Sequence, residues 1–321
     1  MENSMDTNLW GRIRSALASG MKKALSTILF LTKIMVPTSL VVALLGWSGI
    51  LQVIAGFLSP LMRLVGLPGQ AALVCLSSAL LNIYSAIAVM GSLSLSLRDA
   101  TILALMCLTA HNLIVETTVM KSAGSSALKM VFLRLGASIL FAFILNLLLP
   151  QSMAETVFSA GMGAEQKAFW PMIGGWGIAT IKLVVKVTIY VAVIMLTQSV
   201  FQEFKIIDFL SKLLSPFMKI FGLPAEASFM WIVINIVGYS YGAGIIKAEY
   251  EAGKMKKQDG DLFNHHAAIC HSLMEDTILY AALGIGIFWL TVPRLLMAAA
   301  VVWIERFRRS HFKKSFRVGT V

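Results

Sequence analysis

Acidic side chains are scarce: 16 Asp and Glu stand against 27 Lys and Arg, and charged residues make up only 13% of the 321 positions. Cysteine is scarcer, with Cys75, Cys107 and Cys270 each alone in an apolar run and none in a CxxC or His-partnered spacing. That pattern excludes a disulfide framework or a Cys-based zinc site and reads the three as small packing residues. Neither a phosphate-cradling Walker loop nor an HExxH pair is present, which excludes a chain-internal ATPase and a dense helical metal motif. The apolar runs lack the period-two alternation of barrel strands, so they read as helices.

What remains is hydrophobic. Apolar residues make up 58% of the chain and mean hydropathy is +0.80, outside the range of a soluble domain. Apolar stretches at 28–50, 100–120, 130–149, 178–197, 267–287 and 288–304 are each long enough to cross roughly 30 Å of hydrocarbon. The partner so implied is the lipid bilayer. The net charge of +11 does not indicate nucleic acid, because Lys and Arg cluster beside the apolar stretches as the positive-inside bias requires. The start, MENSMDTNLWGRIRSALASGMKK, carries acids and a long polar lead and is a poor match to a cleaved signal. Arg12, Arg14, Lys22 and Lys23 are expected to hold it in the cytoplasm.

One phrase is written twice. SPLMRLVGLPGQA at 59–71 returns as SPFMKIFGLPAEA at 215–227, 156 positions later, with Arg63 replaced by Lys219. Ahead of the second copy, Phe201, Phe204, Ile207, Leu210, Leu214 and Phe217 recur every three to four residues, predicting an amphipathic helix over 201–222 along the membrane interface. Gly66 and Gly222 suit the end of such a helix and Pro68 and Pro224 the first turn of the next, so GLP is a corner. After each corner comes an interrupted apolar segment, SSALLNIYSA at 77–86 and NIVGYSYGAG at 235–244. Irregular backbone at that depth must be buried in protein or line a cavity.

Charge chooses between two topologies. If both interrupted segments are re-entrant, the N-terminus, the 121–134 loop, the 201–222 helix, the KMKK run at 254–257 and the tail RFRRSHFKK at 306–314 all fall inside, leaving Arg63, Arg98 and Lys167 toward the outside. The two repeats then enter from opposite sides, as in many secondary transporters. The expected divisions are a cytoplasmic segment 1–24, a first repeat 25–150, an external connection 151–170, a second repeat 171–305 and a basic cytoplasmic tail 306–321.

A second correspondence, at an offset of 160, pairs HNLIVETT at 111–118 with HSLMEDTI at 271–278, matching His111 to His271 and Glu116 to Asp276. On a continuous helix Asn112 and Glu116 share a face, as do Ser272 and Asp276, and His271 and Glu275. Ionisable groups at membrane depth are read as functional. Removing their charge, as in Glu116→Gln or Asp276→Asn, is expected to leave the fold intact because it lowers a desolvation cost. For a metal, only His271 and Glu275 have chelating i,i+4 spacing, while His265 and His266 are expected at the cytoplasmic mouth.

The GLP corners and Asn/Ser/Gly-broken segments, repeated in two halves across approximately 28–305, resemble the Gate, or nucleoside-recognition, family of bacterial membrane proteins. That family includes spore maturation proteins A and B and is similar to the membrane portion of the ferrous-iron permease FeoB and to the concentrative nucleoside transporters. The resemblance implies an all-α polytopic fold of two inverted repeats, each with transmembrane helices, an interfacial helix and a re-entrant or broken hairpin. It implies a non-enzymatic carrier of a small polar, nucleoside-like solute in the inner membrane, working by an alternating-access elevator motion, with both termini cytoplasmic. Asn82, Ser85, Asn112, Glu116, Asn235, Ser240, Ser272, Glu275 and Asp276 are the positions expected to hold solute. No cofactor is implied beyond a coupling cation, and a homo-oligomer is compatible. A divalent-metal permease and a non-transporting scaffold stay open, although a Gly-Cys pair near the first hairpin and a GTPase domain, both features of the iron permease, are missing. The topology is checked by labelling: Gly163→Cys is expected to react with an impermeant thiol reagent in intact cells and Lys256→Cys to stay unlabelled.

Overall fold

A computed structural model describes residues 9–154, 156–158, 168–239 and 256–318. The first half begins with α1 (Leu9–Trp47) and a short amphipathic α2 (Ile50–Arg63). A hairpin follows, α3 (Ala71–Leu80) and α4 (Ile83–Gly91), then α5 (Leu97–Ala110), α6 (Leu113–Ser122) and α7 (Ala127–Leu148). The second half repeats the order with α8 (Phe169–Glu203), α9 (Ile206–Leu214) and α10 (Ser228–Ile236), then α11 (Lys257–Ile269), α12 (Glu275–Ala281) and α13 (Ile287–Val318). Five stretches are long and apolar enough to cross a membrane: α1, α5 with α6, α7, α8 and α13. The chain is an all-α polytopic membrane protein, with one short antiparallel pairing of Leu95–Ser96 against Thr156–Phe158.

Helices α3 and α4 have 10 and 9 residues, each about half the length that hydrocarbon requires at 1.5 Å per residue, so they form a hairpin rather than a crossing. The turn between them is set by Asn82, whose Oδ1 accepts from the Ser85 amide at 3.0 Å and caps α4. α10 is likewise only 9 residues; the remainder of the second interrupted segment, including Ser240, lies outside the described residues.

Two of the expected elements are different. The apolar run 267–287 is not one helix: α11 ends at Ile269, α12 begins at Glu275, and Gly284 at φ +95° turns the chain before α13. The predicted interfacial helix over 201–222 is also divided. α8 continues to Glu203, Lys205 turns at φ +52°, and only Ile206–Leu214 and the 3₁₀ turn Ser215–Lys219 form the short element. The stripe was read correctly, but Phe201 belongs to the end of the preceding helix.

The corners follow from backbone geometry. Gly66 at φ +72° lets the Leu67 amide reach Met62 O at 3.0 Å and its own amide reach Arg63 O at 3.0 Å. Gly222 at φ +68° does the same, from Leu223 to Met218 O at 2.9 Å and from its own amide to Lys219 O at 3.0 Å. These paired bonds satisfy the last carbonyls of each helix, the glycine-dependent helix ending that GLP implied. Arginine completes both corners, since Arg98 donates to Gly66 O at 3.5 Å and Arg306 to Gly222 O at 2.6 Å.

α1 and α8 lie antiparallel. Arg12 Nε donates to Glu203 Oε1 at 2.8 Å at one end, Ser39 and Thr180 hydroxyls stand 3.5 Å apart midway, and the Trp47 and Phe169 rings meet at 5.1 Å at the other. Their outer faces carry Leu25, Leu29, Phe30, Ile181, Val185 and Ile189, exposed side chains suited to lipid. The core lies where α5, α7, α11 and α13 pack on one another, with the α3/α4 hairpin against α1 and α5.

A Cβ at Gly66 would lie 1.9 Å from Asn146 Oδ1 and would also force an L residue into the left-handed region. Gly66→Ala is therefore expected to lower detergent stability by about 1–2 kcal/mol or more, whereas Gly56→Ala should be neutral or stabilising. Gly56 has open space around its added methyl. Thermal unfolding of the two variants beside the parent checks the difference.

Candidate functional site

Both halves break a helix where the sequence predicted continuity. In the first, His111 is extended and Asn112 is left-handed at φ 47°, ψ 41° before α6 starts. In the second, Cys270 is extended and Ser272 has φ +51°. Asn tolerates the left-handed region better than most residues, while Ser272 must be held there by its surroundings. The freed amides go to the neighbouring hairpins: Asn112 N donates to Ser78 O at 2.9 Å and Ser272 N to Ile234 O at 2.9 Å. Asn235 reinforces the second break, its backbone oxygen accepting from Met274 N at 2.9 Å and its Oδ1 from Leu273 N at 3.4 Å.

The freed carbonyls are taken by two fully buried arginines. Arg134, from α7, donates to Thr109 O at 2.9 Å and His111 O at 2.7 Å. Arg294, from α13, donates to Ile269 O at 3.5 Å and to His271 O. Thr109, His111 and Arg134 correspond to Ile269, His271 and Arg294 at the same offset of 160. The sequence reading had put Arg134 in a cytoplasmic loop; it lies inside α7, because an isolated guanidinium in lipid is costly unless such acceptors surround it.

The two breaks bring their side chains together. His111 Nε2 and His271 Nε2 are 3.4 Å apart. Glu116 lies between them, Oε1 at 3.2 Å from His111 Nε2 and Oε2 at 3.3 Å from His271 Nε2, and Arg134 Nη2 is 2.7 Å from Glu116 Oε2. Asp276 Oδ2 is 3.7 Å from His111 Nε2. All five residues are buried.

The other expected site residues occupy the flank. Tyr84, on the first hairpin, bonds Glu275 across the halves, and a Cβ placed at Gly238 would be 3.6 Å from Ser272 Oγ and 3.9 Å from Glu275 Oε2. The first hairpin and the residues after α10 therefore converge on the 272–275 break. Asn82 and Ser85 bond one another at the first tip, and Asn235 holds the second break. The expected chelating pair His271 and Glu275 is separated, because the break at 270–274 removes the helical i,i+4 relation and turns Glu275 to Tyr84. His271 meets His111, Glu116 and Asp276 instead. His265 and His266 are not at an open mouth but buried, His266 against Phe221 and Trp231. Tyr84, Arg134 and Arg294 were missed; extending the repeat by one more helix would have exposed the arginine pair.

Among the described residues, several buried polar atoms in this core have no hydrogen-bond partner, and six of them fall in pairs at the same sequence offset: Thr117 Oγ1 with Thr277 Oγ1, Arg134 Nη1 with Arg294 Nη1, and Glu116 Oε2, which is ion-paired to Arg134, with Asp276 Oδ2. Ser78 Oγ and Tyr280 OH also lack a partner, with no such match. A separate cluster of Lys129, Asp261, Glu305, Arg308 and Arg309 is internally ion-paired.

Residues 28–129 match the family model Gate, described as nucleoside recognition. That segment is similar to a Gate domain. The matched segment ends just beyond the first broken helix, so it contains the first hairpin, His111, Asn112 and Glu116. The uncharacterized membrane protein YvoD of Bacillus subtilis (strain 168) is 28% identical over 300 residues, covering 91% of this chain and 96% of the relative. No solved structure is significantly similar. The Gate match covers one half only; the second half joins it through the internal repeat and the shared arginine-to-carbonyl contacts.

The ion pair corrects one expectation. Glu116→Gln does not simply relieve a desolvation cost, because it leaves Arg134 buried with its carbonyl partners alone. Arg134→Met is expected to be worse, at about 3–5 kcal/mol, since it strands the Glu116 charge and the His111 carbonyl. The double variant Arg134→Met/Glu116→Gln should recover part of that loss, and a thermal-stability double-mutant cycle in detergent measures the coupling.

Proposed function

We propose that this Gate-domain protein is a bacterial inner-membrane carrier for a small polar, nucleoside-like solute, with no enzymatic activity. It works by alternating access between two inverted halves in an elevator-type motion, with both termini in the cytoplasm. The antiparallel α1 and α8, whose ends pair through Arg12 and Glu203, support that relation between the halves. The observation carrying the reading is the set of matched, unpartnered polar atoms at Thr117, Thr277, Arg134 and Arg294, buried beside the helix breaks. A scaffold gains nothing from burying donors and acceptors without partners, each of which costs about 1–3 kcal/mol. A carrier needs them, because oriented groups with unused capacity bind solute or the water that accompanies it.

The solute is expected where the first hairpin and the residues after α10 meet the second break, between Tyr84, Gly238, Ser272 and Glu275, with Thr277 on the helix that Glu275 opens. Hydroxyl, amide and carboxylate groups there suit the ribose and base edges of a nucleoside. The test is uptake of labelled nucleosides and nucleobases into proteoliposomes. Thr117→Val and Thr277→Val are expected to cut uptake by about tenfold while leaving the unfolding midpoint unchanged or higher, since each deletes a buried unpartnered hydroxyl. Full uptake in both variants would overturn the assignment of the solute to this core.

A further inference from the structure

The paired histidines raise a chemical problem that solute binding on the flank does not solve. His111 Nδ1 lies 3.0 Å from Cys107 O, and His271 Nδ1 lies 2.6 Å from Ala267 O. A carbonyl only accepts, so each Nδ1 carries the hydrogen and each neutral imidazole presents its Nε2 lone pair to the other. Two lone pairs therefore face each other at 3.4 Å, with Glu116 at 3.2 and 3.3 Å and Asp276 at 3.7 Å. Arg134 offsets one of these groups, at 2.7 Å from Glu116 Oε2, while the two imidazole lone pairs and Asp276 Oδ2 still face one another and would be eased by a cation placed among them.

We propose that His111, His271, Glu116 and Asp276 form a binding site for one divalent first-row transition-metal ion, held between the two halves. The spacing fits: four N and O ligands at about 2.0–2.1 Å around a tetrahedral ion stand roughly 3.3–3.4 Å from one another. His111 Nε2, His271 Nε2 and a carboxylate oxygen of Asp276 already lie mutually within 4.8 Å. Each imidazole has the backing that metal-bound histidines use, its second nitrogen donating to a backbone oxygen that fixes the ring and tautomer. Asp276 Oδ2 has no hydrogen-bond partner, although its side chain is only 6% exposed.

Imidazole with carboxylate suits zinc, iron, cobalt or manganese rather than calcium or magnesium. Three carboxyl groups, Glu116, Glu275 and Asp276, and two guanidiniums, Arg134 and Arg294, are gathered at this core, so acid groups outnumber the fixed cations where a dication would sit. A proton serves less well. On His111 Nε2 it would reach Glu116 Oε1 at 3.2 Å, but it would leave His271 Nε2, at 3.4 Å, and Asp276 Oδ2, at 3.7 Å, beyond the usual 2.7–3.2 Å of an N–H bond. The Asp261, His265 and Glu305 group is the contrasting case, because Lys129, Arg308 and Arg309 already neutralise its acids.

The experiment needs binding alone and so does not depend on transport. Full-length protein, freed of any purification tag and stripped with chelator in detergent, is dialysed against Zn²⁺ or Co²⁺. One equivalent is expected per chain, with the visible absorption of four-coordinate Co²⁺. His271→Gln and Asp276→Asn should each weaken binding by about tenfold or more, and His265→Gln should not. Should His271→Gln fail to fold, the thermal midpoint decides: Zn²⁺ raises it in the parent and not in Asp276→Asn. Absence of stoichiometric binding, protonation without metal uptake, or loss of binding in His265→Gln with retention in Asp276→Asn would each overturn the site. Uptake of nucleosides by a protein that binds no metal would remove this inference and leave the carrier reading standing.

Discussion

A helix interrupted within hydrocarbon frees carbonyls that lipid cannot bond, and everything in this core depends on how they are satisfied. Both halves use an arginine from the next helix. Arg134 and Arg294 each span two carbonyls of the preceding break, so each guanidinium is solvated by backbone instead of water. Together with the bonds to Ser78, Ile234 and Asn235 they satisfy the backbone freed at Asn112 and Ser272, the breaks at which His111 and His271 meet.

From that arrangement the electrostatics follow. Arg134 also fixes Glu116, and Glu116 fixes the distance between the imidazoles, so one ionic contact connects backbone satisfaction to the polar core. The second half is built alike but differs in detail, for Asp276 is one methylene shorter than Glu116 and meets His111 at 3.7 Å where Glu116 meets Arg134 at 2.7 Å. The flank is separate. There Tyr84 and Glu275 join the halves, and hydroxyl and amide groups replace charge.

Much of the fold was legible because it is set by features a sequence displays directly. Apolar length marked the crossings, and Gly66 and Gly222 marked helix endings that only a positive φ permits. The interrupted segment 77–86 was readable as re-entrant from the charge bias of its flanks, and its turn is set by Asn82, a strong helix-capping residue. The breaks after His111 and Cys270 were not readable, since HNLIVE and CHSLME contain neither glycine nor proline; tertiary bonds to Ser78, Ile234 and Asn235 impose them. The candidate site was legible as residues but not as partnerships. Helical spacing joined His271 to Glu275 and placed Arg134 among surface charges, and both assignments failed at these unmarked breaks. The repeat itself held the missing information, because Arg134 and Arg294 keep the same offset as the histidines.

The bond between Tyr84 and Glu275 has a consequence for energetics. Glu275 occupies the position that Val115 holds in the first half, so no equivalent carboxylate exists there. Two identical halves that exchange roles would give two end states of equal free energy, a degenerate pair populated half and half. A contact available to one half only lifts that degeneracy. If the halves exchange roles as proposed above, this tyrosine–carboxylate link weights one end state over the other, and the resting conformation follows from composition.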